Sequence, residues 1–437
     1  MIRMVDILGK KATGKILTRE ELSFFVSGMC AGEIPDYQTS ALLMAIYLNG
    51  MTPEETADLT DLMAHSGNMI DLSAIDGIKV DKHSTGGIGD KTTLVVGPMV
   101  AACGGKVAKM SGRALGACGG TVDKLESVPG YEIGFPEKKF VESVNRLGIS
   151  VIGQTADVAP ADKKLYALRD VTATVACTPL IASSVMSKKL ASGADRFVLE
   201  VTVGSGSFVP DVESGKALAE TMAEIGKRNG KPTVALITNM DRPLGRKIGN
   251  LLEVQEAAQV LKGEGPKDVE ELCLDLAAEM LYMAEKGSRE DCRKMAEKSV
   301  EDGSAYRKLI ELLENQGGKA DVIDHPEKYY PAPHCVTVTA EKDGYLATKN
   351  AEKIGRGSMI MGAGRATKED TIDVTAGVEL CCGIGESVKK GEPLFKAYAQ
   401  DEKKLQEGLK LLKENIVVSN EKPEEQPHIY GRVGGLD

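Results

Sequence analysis

Several things are missing from this sequence, and each absence narrows what the chain does. No stretch approaches the ~20 consecutive apolar residues of a membrane-spanning helix, and Arg3, Asp6, Lys10 and Lys11 break up any apolar leader. Nine cysteines (30, 103, 118, 177, 273, 292, 335, 381, 382) include no CxxC pair. The five histidines do not cluster, and His325, His334 and Cys335 lack structural-zinc spacing. The odd cysteine count and apolar settings such as Ala102-Cys103 and Leu272-Cys273 predict reduced, mostly packed thiols. Positive charge is in deficit: 54 Lys plus Arg against 64 Asp plus Glu give a net charge of −10. A pI near 5.3 argues against a general nucleic-acid or anionic-membrane surface. There is no internal repeat and no low-complexity segment. What remains is a cytoplasmic, soluble, multidomain protein with neither nucleic acid nor membrane as partner.

The length, 437 residues, is about three times the usual unit of ~150, so two or three domains are expected. Glycine is abundant, at 48 of 437 residues, or about 11% against a usual ~7%. Such a surplus favours tight turns and close backbone approaches to ligands.

Residues 1–68 read as helices, with Thr18-Arg-Glu-Glu21 and Thr52-Pro-Glu-Glu55 as capping boxes. From about residue 77, short β-rich runs (78–80, 107–110, 151–153, 197–201, 233–237) alternate with helical segments, the pattern of a mainly parallel sheet with crossover helices. Residues 161–194 read as mostly helical and are expected to fold back on the amino-terminal helices. After Pro331-Ala-Pro333 the alternation of 334–338 and the recurring glycines predict a carboxy-terminal β-rich α+β unit. The expected division is therefore a helical domain (1–68 and 161–194), an α/β domain (69–160 and 195–330) and a carboxy-terminal domain (334–437). The segment from Glu421 onward reads as a charged loop.

The most informative segment is Val80-Asp-Lys-His-Ser-Thr-Gly-Gly-Ile-Gly-Asp-Lys-Thr-Thr93. A strand ending in a glycine turn before a helix presents backbone N–H groups and a positive helix dipole to an anion. Lys82, Ser84 and Thr93 add a charge and hydroxyl donors. A second segment, Lys109-Met-Ser-Gly-Arg-Ala-Leu-Gly-Ala-Cys-Gly-Gly-Thr121, has the same character. Consecutive βα units put both loops on one edge of the sheet, where they can converge on one phosphate. Two look-alikes carry no weight. Gly9-Lys-Lys-Ala-Thr-Gly-Lys15 resembles a P-loop, but Ile16 replaces its Ser/Thr, and Gly362-Ala-Gly364 lacks a third glycine. A third segment runs from Leu165-Tyr-Ala-Leu-Arg-Asp170 to Thr178-Pro-Leu-Ile-Ala-Ser-Ser-Val-Met-Ser-Lys-Lys189. Ser184 and Lys188 are i and i+4 on one helix face, with no acidic residue at i±4 of Lys188. With Arg169 they form a donor set suited to a planar ligand bearing carbonyl oxygens.

These segments resemble the thymidine and pyrimidine-nucleoside phosphorylase family, carried by Lys82-His-Ser-Thr-Gly-Gly, Ser111-Gly-Arg-Ala-Leu-Gly and Tyr166-Ala-Leu-Arg-Asp-Val-Thr-Ala-Thr-Val175. The resemblance implies a homodimer with a small helical domain and a larger α/β domain, and an active-site cleft between them. It implies phosphorolysis of pyrimidine nucleosides to free base and pentose 1-phosphate, with phosphate as co-substrate and no cofactor required for the chemistry. By the same resemblance Lys82, Ser84, Thr93, Lys109, Ser111 and Thr121 hold phosphate. Arg169, Ser184 and Lys188 bind the base edge, and Leu115, Tyr166, Val175, Ile181 and Phe208 wall it. His83 is the expected acid or hydrogen-bond donor to the leaving base.

Four positions depart from the family pattern: Cys118, Glu200, Thr202 and Ser207. None is among the contact residues just named, so an effect on loop geometry or sugar range is the expectation. Some members hold a potassium ion on backbone carbonyls and one carboxylate, and the matching positions are Gly89, Lys91, Leu244, Lys247 and Glu256. Two of these are lysines, whose ammonium is itself a compact monovalent cation. Weak or absent potassium dependence is therefore expected, with Lys91 or Lys247 paired to Glu256. The rival readings are a thymidine-restricted phosphorylase, a phosphoribosyltransferase of the anthranilate type, and a non-catalytic nucleoside-binding protein.

Overall fold

The computed structural model describes every residue except Met1, Leu115, Cys118, Ala156, Lys368 and Asp437. Four helices open the chain: α1 (Met4–Ala12), α2 (Arg19–Ala31), α3 (Asp36–Asn49) and α4 (Pro53–Ala64). Both predicted capping boxes form, so that Glu21 and Glu55 each return a carboxylate to the backbone N–H of their cap residue at 2.7 Å. Glu55 does more than cap. Its other oxygen accepts from the Leu17 N–H at 2.7 Å and from the buried Lys11 ammonium at 2.8 Å, tying α1 to α4.

The α/β part runs β1 (Val80–Ser84), α5 (Thr92–Ala102), β2 (Val107–Ser111), α6 (Thr121–Glu126), α7 (Glu137–Leu147), β3 (Ile149–Gly153), α8 (Pro160–Arg169), α9 (Thr178–Ala191), β4 (Arg196–Val203), α10 (Val212–Arg228) and β5 (Thr233–Asn239). β6 (Lys247–Ile248), α11 (Asn250–Leu261), α12 (Lys267–Met283), α13 (Arg289–Glu301) and α14 (Ser304–Asn315) follow. Strands β1, β4 and β5 pair in parallel, as do β2 and β3. A parallel bridge at Lys79 and Lys106, with the Val80 N–H on the Lys106 carbonyl at 3.0 Å, joins the two sets. Beyond that bridge β1 and β2 share no ladder among the described residues, and each runs into one of the two glycine loops.

Helix periodicity explains the layers. Apolar residues of α5, α11, α12 and α14 cover one face of the sheet, and α9 and α10 cover the other. From α8 and α9, Leu165 and Leu180 join Leu22, Phe25, Leu43 and Leu59 in the core of the amino-terminal helices. Thr60 and Ser183 share a 2.9 Å hydrogen bond between α4 and α9.

The remaining elements are β7 (His334–Thr339), β8 (Gly344–Thr348), α15 (Ala351–Ser358), β9 (Gly377–Leu380), β10 (Ser387–Val388), β11 (Pro393–Ala399), α16 (Glu402–Asn415), β12 (Ile416–Ser419) and β13 (Ile429–Gly434). They build two small antiparallel sheets, β10-β8-β12 and β6-β9-β11-β7. Two details differ from the expected division. β6, from the α/β stretch, pairs with β9 of the carboxy-terminal unit. The tail is not all loop, because β13 pairs antiparallel with β5 at the edge of the central sheet. Among the described cysteines there is no disulfide. Cys177, Cys273 and Cys292 are buried, whereas Cys30 and Cys335 are exposed, so packing of the thiols is less general than expected.

Removing Glu55 leaves a buried lysine without its partner. Glu55→Ala is expected to cost about 3–5 kcal/mol in urea unfolding of the helical unit, the range for breaking a buried pair. A loss below about 1 kcal/mol would show that the Lys11–Glu55 pair is not what fastens α1 to α4.

Candidate active site at the ends of the first two strands

The first glycine loop leaves β1 at Ser84. Gly86 and Gly89 take φ values of +87° and +81°, which only glycine adopts without strain. Gly87 sits so close to Met240 that a Cβ would lie 2.7 Å from its side chain. The loop is then hung from β4: Thr85 donates its N–H to the Glu200 carbonyl at 2.9 Å, and Thr202 Oγ1 bonds Thr85 Oγ1 at 2.9 Å and the Gly86 carbonyl. Ser207 Oγ meets Thr202 Oγ1 at 2.8 Å. Thr202 and Ser207, two of the four departures, therefore form one hydroxyl clamp on this loop. The second loop follows Ser111 and closes on Asp123, whose carboxylate accepts from the Ala114 and Gly120 N–H groups at 3.0 and 2.8 Å and from Arg365 at 2.7 Å. Leu115 and Cys118 lie outside the described residues.

Lysines dominate the ground between the loops. Lys82, Lys91, Lys109, Lys124 and Lys189 are all at most 3% exposed. Lys82 points to Glu200 at 2.5 Å and to Thr92 Oγ1. Glu200, one of the four departures, is thus the direct partner of a named contact residue, Lys82. Burial alone would neutralise the Lys82 ammonium, but Glu200 and Asp90 outweigh it and hold its pKa above the usual lysine value. Burial likewise favours the neutral acid at Asp90, yet the Lys82 and Lys124 charges win and keep it ionised. Two donors of Lys82 are thus spent before any anion arrives.

Asp81 faces the other way. Its Oδ2 accepts from Lys189 at 2.6 Å, while Lys109 stands 3.6 Å from Oδ1, too far for a hydrogen bond. Lys109 donates instead to the Lys82 carbonyl. Burial, with Lys189 and Lys82 nearby, pulls the Lys109 pKa down to about 7 against the opposing pull of Asp81. His83 is pushed well below the usual histidine value, first by burial and then by Lys189, Lys109, Lys188 and Lys82. It is a neutral imidazole, able to donate one N–H. Two lysines face the single carboxylate Asp81, so each protonation of Lys109 adds a positive charge that no second carboxylate among the described residues pairs with there.

On the opposite wall, Lys188 Nζ bonds Ser184 Oγ at 3.1 Å, as the i,i+4 spacing predicts. It also donates to Asp162 of α8 at 2.6 Å, so the donor set is not free of acid as its own helix suggested. Arg169 is 3% exposed and spends three N–H groups on the carbonyls of Thr174, Leu180 and Val175, at 3.3, 3.0 and 2.7 Å. Tyr166, Val175 and Phe208 are exposed, Phe208 at 86%, and Ile181 is half-buried. Ser84, Ser111 and Thr121 are also half-buried, and Thr93 is nearly covered. The residues that sequence reasoning missed and that contact the candidate site residues are Asp81, Lys189 and Asp162. The first two had a signal, being immediate neighbours of Lys82 and Lys188; Asp162 had none.

The five positions matched to a potassium site converge as well. Lys91 Nζ donates to the Leu244 carbonyl at 2.7 Å, the Lys247 carbonyl at 3.1 Å and Glu256 Oε2 at 2.7 Å. Gly89 packs on the same Leu244 carbonyl, where a Cβ would lie 2.5 Å away. Lys247 turns its own ammonium toward Glu379 at 3.9 Å. With three acceptors engaged by a buried ammonium, the cage does not fit an added metal cation. A groove of about 970 Å³ runs past Gly245, Lys247 and Glu256 but includes no residue of the two glycine loops or of the Arg169–Lys188 wall.

Family models match three parts of the chain. Residues 5–67 match the helical bundle domain of a glycosyl transferase family, residues 76–306 its a/b domain, and residues 345–419 the pyrimidine nucleoside phosphorylase C-terminal domain. The pyrimidine-nucleoside phosphorylase of Geobacillus stearothermophilus is 52% identical over 433 residues, covering 99% of this chain and 100% of the relative. That of Bacillus subtilis (strain 168) is 50% identical over 402 residues, or 92% of this chain and 93% of the relative. Among solved structures, anthranilate phosphoribosyltransferase from Thermus thermophilus superposes with a TM-score of 0.58 at 21% identity, covering 71% of this chain and 98% of that one. At that identity the likeness concerns the fold alone.

The four lysines around His83 generate a test. In an NMR titration of the free protein, the His83 ring is expected to stay neutral well below the ordinary histidine value of ~6.5, because burial and the surrounding lysine charges disfavour its protonated form. A normal titration near 6.5 would show that these charges do not act on it.

Proposed function

Because the chain belongs to the pyrimidine-nucleoside phosphorylase family, we propose that it catalyses reversible phosphorolysis of uridine, thymidine and deoxyuridine to free base and (deoxy)ribose 1-phosphate. The observation that carries this reading is the pair of buried lysines, Lys109 and Lys189, on the single carboxylate Asp81 between the glycine loops, with Ser184 and Lys188 on the same helix as Lys189.

Phosphate enters between the loops, where Ser84, Thr93, Ser111 and Thr121 offer hydroxyls and Lys109, which is not hydrogen-bonded to Asp81, offers charge. Lys82 contributes as a fixed charge in the wall behind. A phosphate oxygen bonds to C1′ as the C1′–N bond breaks, the electron pair of that bond leaves with the base, and the proton that monohydrogen phosphate gives up ends on the departed base. Positive charge grows on the sugar and negative charge on the pyrimidine. Arg169 and Lys188 stabilise the departing base, and neutral His83 donates a hydrogen bond to it, so no imidazolium has to form. Tyr166, Val175 and Phe208 supply apolar surface for the ring. The same reading carries a cytoplasmic homodimer, supported by exposed apolar residues on the amino-terminal helices, including Val5, Tyr37 and Leu48 at 64%, 73% and 71%.

Uridine mixed with phosphate is expected to lose its nucleoside ultraviolet absorbance and release uracil and ribose 1-phosphate; no release from uridine or thymidine would end the proposal. Lys188→Ala is expected to lower kcat/KM by about 2–4 kcal/mol, the range for a lost transition-state donor. Undiminished turnover in that variant would remove the helix α9 from base recognition.

Lys109 adds a pH signature. Above about pH 7 its amine is mostly neutral in the free protein, and an arriving dianion favours its protonation. Phosphate binding at pH 8 is thus expected to take up protons, seen as buffer-dependent heat in calorimetry, and Lys109→Arg should abolish the uptake. Equal uptake in both proteins would assign the proton elsewhere.

A further inference from the structure

The Lys91 cage is built as cation sites are built. Two main-chain carbonyls and one carboxylate oxygen converge on a single point that is 1% exposed or less on the lysine and glutamate sides. Glu256 is itself fixed there, since its carboxylate accepts the Arg246 and Lys247 N–H groups at 2.9 and 3.2 Å. Gly245 makes the approach feasible: at φ +74° it carries no Cβ, and one would lie 2.4 Å from Glu256 Oε2. An ammonium has three donors, and the cage offers three acceptors. Every one of them is used.

We propose that the Lys91 ammonium is this chain's own monovalent cation, held covalently in the place where a dissociable potassium ion would otherwise sit, and that it acts as a positioning residue for the first glycine loop. The geometry says what it positions. Lys91 is the cap residue of α5, two positions after Gly89 of the first glycine loop and directly before Thr92 and Thr93. Its ammonium ties this point to the 244–247 segment and to α11, and β6 continues from that segment into pairing with β9. One side chain therefore fastens the loop to the carboxy-terminal unit as well as to the α/β core. An ammonium and a potassium ion have the same charge and similar size, but a tethered one does not dissociate. Loop order then becomes independent of the salt in the medium. The catalytic side of this inference rests on the phosphorolysis reading; the binding and stability side does not.

The test compares potassium with tetramethylammonium at constant ionic strength. For the wild-type protein the Tm and the KM for phosphate should be the same in both salts, and a crystal soaked in thallium or rubidium should show no anomalous peak on the Leu244 and Lys247 carbonyls. Lys91→Ala opens the cage while keeping its acceptors, with the neighbouring groove as a route for entry. In tetramethylammonium this variant should lose several degrees of Tm and show a KM for phosphate raised at least tenfold. Potassium or rubidium should restore both. Lys91→Met fills the space without charge and should not respond to potassium. A potassium requirement or a thallium peak in the wild-type protein would overturn the proposal, as would equal behaviour of Lys91→Ala in the two salts or rescue of Lys91→Met. Should Lys91→Ala fail to fold in every salt, the thallium experiment on the wild-type protein decides alone. An inactive wild-type protein with unchanged Tm and no thallium peak would sink the phosphorolysis reading and leave the tethered cation standing.

Discussion

Two buried lysines share one carboxylate at Asp81, and much of the architecture serves to hold that imbalance in place. Burying a charge costs several kcal/mol unless it is paired, and breaking a buried pair costs about 3–5 kcal/mol. The protein meets this constraint at Lys82 with Glu200, at Lys91 with Glu256 and at Lys124 with Glu253. It relaxes the constraint at Asp81, where Lys189 takes the close contact and Lys109 is left 3.6 Å away. A neutral pocket would have little to offer an anion, and a fully charged one would repel its own lysines. A single titratable charge on Lys109, whose pKa burial has pulled down to about 7, is a workable compromise.

Fold and charge are linked through where each lysine originates. Lys82 and Lys109 come from β1 and β2, which share no ladder beyond the bridge at Lys79 and Lys106. Lys189 comes from α9 and reaches both Asp81 and the Met110 carbonyl, so the returning helix spans the gap between the strands. The adjacent Lys188 points to the Asp162 side, toward the Arg169 wall. Two consecutive residues of one helix thereby connect the two halves of the candidate site. From the far side, Arg365 on Asp123 and Lys91 on Glu256 anchor the two glycine loops to later segments of the chain.

Local signals were the ones that could be read from the sequence. The capping boxes at Thr18 and Thr52, the strand runs of the central sheet and the Ser184–Lys188 spacing all depend on residues three to five positions apart, and all appear in the structure. Pairings across long separations were not legible. Glu200 lies 118 residues from Lys82, so it read as a substitution without contacts, and Asp162 is 26 residues from Lys188 on another helix. β13 escaped for the same reason, because its alternation is short and its partner β5 lies about 190 residues earlier. The cage at Lys91 was readable only as a choice between two lysines. Backbone direction decides it, since Lys247 contributes its carbonyl there and sends its side chain to Glu379.

The central claim is that the space between the ends of β1 and β2 is an anion site whose charge comes from Lys109 while Lys82 stays with Glu200. A crystal structure with phosphate and free uracil tests this most directly. The account predicts a phosphate within hydrogen-bond distance of Ser84, Ser111 and Lys109 Nζ, with uracil on the Arg169–Lys188 side and the Lys82–Glu200 contact intact. Phosphate bound elsewhere, or bound only after Lys82 has left Glu200, would contradict it.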